Sequence, residues 1–167
     1  MHTKELLTRP RTLWKANSGP RALGHGRLTA VLKQLVRLML AGILLGAGIG
    51  HFTATEAFRA QVPQFLPAAD VIIYLSGIIE LLLATALLFV PKRRAEVGVA
   101  VAAFFVLIFP GNVSQYLTST PAFGLETDTA RGIRLLFQPI LVALALWSTG
   151  GWPLLRHWHK SRGSAPN

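Results

Sequence analysis

Residues 71–90 read VIIYLSGIIELLLATALLFV and are followed at once by Pro91-Lys92-Arg93-Arg94. Crossing a bilayer's hydrocarbon core takes about 20 apolar residues of helix. This stretch supplies them with a single charge, Glu80, and ends at a sharp basic stop. Three further apolar runs flank it, at about 35–52, 97–117 and 133–148. The third is interrupted by Pro110-Gly111-Asn112, where it can continue with a kink, and the fourth carries Gln138-Pro139, with Arg134 expected to snorkel to its outer edge. Half of the 167 residues are hydrophobic and 14% are charged, with the charges gathered at the ends and in the short gaps. The fold class expected is therefore all-α: an integral membrane four-helix bundle spanning residues 34–150, between a poorly ordered basic tail at 1–33 and a second basic tail at 151–167.

Orientation follows from where Lys and Arg fall. The chain up to Arg37 holds eight, the 91–94 turn three and the C-terminal tail three, against only Arg59, Arg131 and Arg134 in the two remaining loops. Cytoplasmic loops carry the excess of Lys and Arg, which predicts both termini in the cytoplasm. Glu56, Asp70, Glu126 and Asp128 fall in or beside the outer loops, and Trp147, Trp152 and Trp158 near the inner interface. Between helices one and two, residues 54–69 carry Phe58, Val62, Phe65 and Leu66 between or beside Pro63 and Pro67, too short and too Pro-broken to span. This reads as a re-entrant or interfacial segment acting as a lid, or as a loop on the headgroups. The lipid bilayer is the first partner, with anionic headgroups at the basic tails.

The net charge of +10 does not indicate nucleic acid, because the basic residues flank hydrophobic spans and form no aromatic-interleaved face. With no cysteine, thiolate catalysis, disulfide exchange and Cys-ligated metal are excluded. One His and one Glu without a helical His/Glu pair make no metal site, and His157 and His159 in the tail lack carboxylate support. No nucleophilic triad, phosphate loop or dinucleotide fingerprint is present, so no autonomous catalytic motif is read.

What remains is a set of polar residues in apolar surroundings. Glu80 lies mid-span, where a carboxylate is costly and faces the bundle interior or a wet cavity, protonated or hydrogen-bonded. Ser76, Gly77 and Ala84 make its face small. His51 closes the first helix, Asn112 and Gln115 lie at the outer end of the third, and Gln138 lies in the fourth. Together with Glu80, about 10–15 Å deeper at 1.5 Å per residue, they are expected to form a polar funnel that binds a ligand. For His51 alone, an interfacial hydrogen bond is the plainer reading. Gly42, Gly46 and Gly50, four apart, are expected to let a neighbouring helix approach closely.

Several of these motifs resemble the DoxX-like membrane proteins: Gly50-His51-Phe52, the Pro63 to Pro67 segment, Ser76 to Glu80, the basic turn after Pro91, and Pro110-Gly111-Asn112. The resemblance covers about residues 34–150. It implies a four-helix bundle in the bacterial inner membrane and a shared pocket of His51, Glu80 and Asn112. It also implies an accessory part in a membrane redox or stress-response system, with soluble or membrane oxidoreductase subunits as partners and a quinone-like molecule as ligand. The absence of cysteine sets aside the thiol relays of relatives. Two alternatives stay open: a small proton-coupled transporter using Glu80, and a non-catalytic assembly partner. Any catalysis would be as a subunit of an oxidoreductase complex.

Overall fold

The structure, a computed structural model, describes residues 20–63, 66–121, 124 and 127–163. It is all-helical, without a strand among the described residues. Helix α1 covers Pro20–Thr53, α2 Thr55–Arg59, α3 Ala69–Phe89, α4 Arg94–Leu117, α5 Asp128–Thr149 and α6 Gly151–Gly163, with a 3₁₀ turn at Pro91–Arg93 before α4. Four segments are long and apolar enough to cross a membrane: Gly26–Thr53, Ala69–Phe89, Pro91–Leu117 and Asp128–Thr149. Only 22–33% of each apolar stretch is buried within the chain. Leu75, Leu82, Leu107 and Leu136 are among the large apolar side chains left on the outside. That is the make-up of a multi-pass membrane protein, whose outer surface is solvated by lipid.

Helix α1 lies chiefly against α3, and α4 against α5; α1 also touches α5, and α3 touches α4. The common core is Leu40, Leu44, Ala84, Val101, Ala102, Phe104, Phe105, Ala145 and Leu146. Two glycine contacts set how closely the pairs approach. A Cβ on Gly48 would sit 3.1 Å from the carbonyl oxygen of Gly77, and one on Gly77 would sit 2.8 Å from the Cβ of His51. At the other pair, a Cβ on Gly98 would fall 1.7 Å from the Thr149 hydroxyl. Of the glycines expected from the sequence to do this work, Gly50 does, against the ring of Phe58 on α2, which a built Cβ would approach to 3.1 Å; Gly42 and Gly46 do not, with no atom within 4 Å. A four-residue repeat marks one stripe of a helix, but the apolar faces on both sides of the stripe are equally lipid-compatible, so the repeat does not say which stripe is covered.

Element boundaries depart from expectation where charge was read as a helix limit. Helix α1 begins at Pro20, so the part of the expected 1–33 tail from residue 20 onward is helical, while residues 1–19 lie outside the described residues. Nothing from Arg27 to Lys33 breaks a helix; the charges limit the span, not the helix. Helix α4 runs through Pro110 without a break, and α5 starts at Asp128, with the Thr127 side chain capping the Ala130 N–H at 3.2 Å. Gly150, at φ 82°, ends α5 in the left-handed conformation and lets the basic C-terminal stretch start a new helix, α6. In the 54–69 segment, Phe65 falls outside the described residues, as does Glu126 of the later loop.

Candidate functional site

Gly48 facing Gly77 fixes an antiparallel register, which sets His51 level with about Tyr74 and leaves Glu80 six residues further in, about 9 Å at 1.5 Å per residue. Helical side chains lean toward their own N-terminus. In an antiparallel pair, His51 therefore leans inward and Glu80 outward, and they meet: His51 Nε2 lies 3.2 Å from Glu80 Oε2. Both are buried, at 8% and 4% exposure. The contact is at ion-pair distance but is not aligned as a hydrogen bond, and Glu80 Oε2 and His51 Nδ1 are left without a hydrogen-bond partner.

Helix α2 covers this pair. Phe58 packs its ring on the His51 imidazole, with centroids 3.8 Å apart and planes inclined by 32°. The segment rests on two glycines, Gly50 under Phe58 and Gly111 under the Gln61 carbonyl, which a Cβ on Gly111 would approach to 2.8 Å. Arg59 holds its far side by ion pairs to Asp70 at the start of α3 and to Glu56, the latter at 3.3 Å. Both pairs are exposed and add little to stability; the one to Asp70 ties α2 to α3, while the one to Glu56 lies within α2.

On the opposite wall, Asn112 Nδ2 donates to Gln138 Oε1 at 2.9 Å, and Gln138 Nε2 donates to the carbonyl of Phe105. Pro110 has no N–H and leaves the Val106 carbonyl, four residues before it, without its helical donor; the carbonyl that takes the Gln138 amide is the neighbouring one, of Phe105. Both side chains are 6% exposed.

Between these walls is a cavity of about 500 Å³, lined mostly by apolar groups including Ile43, Phe58, Ile73, Phe105 and Phe137. His51, Glu80, Asn112 and Gln138 all reach it, so four of the five expected site residues share one chamber. Gln115 does not. It is buried in the last turn of α4, where its Nε2 donates to the Thr120 carbonyl at 3.3 Å. Of the small residues on the Glu80 face, Ser76 lines the cavity, while Gly77 and Ala84 pack against neighbouring helices. Two polar lining residues have no counterpart in the sequence reading of the site: Gln61, whose buried Nε2 has no partner, and Arg134, which lines the chamber. Arg134 stands one helical turn before Gln138, and that spacing was the signal for it. Nothing local marks Gln61.

Among the described residues there is no group of three or more His, Cys, Asp or Glu able to hold a metal. The chamber instead has the character of a small-molecule site: apolar walls of ordinary pocket volume with a few convergent polar groups. Buried polar atoms without a hydrogen bond are rare in folded proteins, and three of them belong to residues that line this one space, His51, Glu80 and Gln61.

A family model described as Domain of unknown function (DUF8561) matches residues 40–149. That range holds every residue named above as lining the chamber. No curated protein and no solved structure matches the chain.

Proposed function

We propose, from the premise that this chain belongs to the DUF8561 family, that it is an accessory component of a membrane redox or stress-response system whose chamber holds the head of a quinone-like amphiphile. The observation that carries this reading is that three residues lining a mostly apolar chamber of about 500 Å³, His51, Glu80 and Gln61, each hold a buried polar atom without a hydrogen bond. An amphiphile with a hydrogen-bonding head and an apolar tail satisfies both kinds of surface at once. His51 and Gln61 carry the nitrogens that a carbonyl or hydroxyl oxygen in the chamber would engage, and Phe58 and Phe105 offer flat apolar walls to a ring. When bound, a quinone supplies two-electron, two-proton carrier chemistry. This chain's part is to hold the head and to move protons between His51 and Glu80, with electrons exchanged through an oxidoreductase partner.

The redox assignment and a bacterial inner-membrane location rest on the resemblance of these motifs to DoxX-like proteins; the family model that matches, DUF8561, is described as a domain of unknown function. His51 standing 3.2 Å from Glu80 argues for a neutral amphiphile over a transported cation, because the histidine already occupies the side of the carboxylate that a cation would need. The test is native purification in mild detergent with mass spectrometry of what remains bound. A reproducible quinone adduct supports the reading; recovery with lipid alone, in every preparation, argues for the assembly role.

In the same proposal both termini lie in the cytoplasm, the chamber opens outward, and the 54–69 segment is its re-entrant or interfacial lid. The support is the fourteen-to-three distribution of Lys and Arg. Lys92 and Ser119, exposed at opposite ends of the α4 span, report on it. A cysteine at Ser119 is expected to react with an impermeant thiol reagent in intact cells, and one at Lys92 only after permeabilisation. Labelling of both from one side contradicts the four-span topology.

A further inference from the structure

The end of the bundle away from the chamber has a second, smaller cavity of about 110 Å³, where α1, the end of α3 and the start of α4 meet. Its polar lining consists of Gln34, Arg37 and Arg94, and its walls include Leu38, Leu87 and Leu88. Arg37 is the unusual member. It is 8% exposed, its guanidinium donates to the Gln34 side-chain oxygen, and no carboxylate pairs with it among the described residues. Glu96, on the first turn of α4, is exposed and pairs with neither arginine. Four of its five donors have no partner among the described residues and remain reachable from the cavity side, and a second guanidinium lining the same space adds repulsion. An anion between them takes up the open donors and removes the repulsion.

We infer that this cavity binds the phosphate group of an anionic phospholipid, with Arg37 and Arg94 gripping the phosphate and Gln34 holding the Arg37 guanidinium in place. Arginine forks match phosphate oxygens, and charge-assisted bonds of this kind are the strong ones. A lipid is favoured over a free phosphate by the walls. Leu38 and Leu88 are 45% and 42% exposed on the bundle surface directly beside the arginines, so an acyl chain leaving the phosphate has an apolar track to follow. The setting is interfacial as well: Lys92 and Arg93 are exposed next to the site, and Lys33 lies 5.6 Å over the Trp147 ring at the same end of the bundle.

The experiment uses the full chain, delipidated in mild detergent, with phosphatidylglycerol or phosphatidylcholine of identical acyl chains added back, and inorganic phosphate as a third arm. Native mass spectrometry counts retained lipids, and thermal unfolding reads the stabilisation. Phosphatidylglycerol is expected to raise the midpoint and remain as a single retained lipid, with no effect of inorganic phosphate at equal concentration. Arg94→Gln, at an exposed position, is expected to keep the fold and weaken retention roughly tenfold, as for loss of one charged hydrogen bond. Arg37→Met, which keeps the volume, is expected to abolish selective retention while leaving the lipid-free midpoint equal or higher. Equal retention of both lipids by wild type, or wild-type retention by both variants, overturns the inference. A full shift from inorganic phosphate alone overturns the lipid assignment.

Discussion

Replacing Glu80 with Gln is expected to leave the bundle standing and weaken quinone binding. The amide keeps the shape of the carboxylate and its capacity to contact His51, so the melting midpoint in detergent should stay near wild type. What it removes is the carboxyl group's capacity to exchange a proton beside the imidazole. Binding of a short-chain quinone, followed by the quenching of intrinsic fluorescence, is expected to fall at least tenfold, about 1.4 kcal/mol. Glu80→Ala is a different case, because it leaves the buried His51 without its partner. The expected cost to stability is about 0.6–2 kcal/mol, the range of interhelical polar contacts in membranes. His51→Ala and Asn112→Ala are expected to share the binding defect, since each leaves a buried polar group of the chamber unsatisfied. Wild-type binding by all three variants would leave Glu80 with a purely structural role.

Gly98→Ala is expected to be the most damaging small substitution in the α4/α5 pair. The new methyl would stand 1.7 Å from the Thr149 hydroxyl and 2.5 Å from its Cβ. Rotating Thr149 clears the first contact but not the second, and it breaks the 2.6 Å bond from that hydroxyl to the Ala145 carbonyl. The helices must separate, and overpacking of this kind costs about 1–3 kcal/mol, partly offset by the roughly 1 kcal/mol that alanine gains over glycine in a helix. Gly42→Ala and Gly46→Ala, with nothing within 4 Å, keep only the gain. Chemical unfolding in micelles should thus rank the three in the order opposite to the one the glycine repeat suggests.

That reversal shows where the sequence is informative and where it is not. Hydropathy and charge stops mark the four spans because lipid imposes a length and an apolar surface on each helix independently. Helix contacts are not marked, because an apolar face toward lipid and one toward a neighbour have the same composition. Gly48 and Gly77 could not be told from Gly42 and Gly46 on pattern alone. Polar residues are the exception. Each is costly in lipid wherever it points outward, so His51, Glu80, Asn112 and Gln138 were legible as interior, and the structure brings them to one chamber. Gln115 shows the limit of that argument: its cost is met by the Thr120 carbonyl in a turn, outside the chamber. Gln61 shows the converse. It sits in a segment where polar residues are ordinary, and only the seating of α2 on Gly50 and Gly111 turns it inward.

The claim that the chamber holds an amphiphile head is tested most directly by photolabelling the protein in membranes with a short-tailed azidoquinone and mapping the modified peptides. The expected result is label concentrated on the chamber lining, at His51, Phe58 and the Phe105 to Asn112 turn, competed by unmodified quinone and lost in Glu80→Gln. Label spread over the lipid-facing residues Leu82, Leu117 and Leu136, unaffected by competitor or by the substitution, would contradict it.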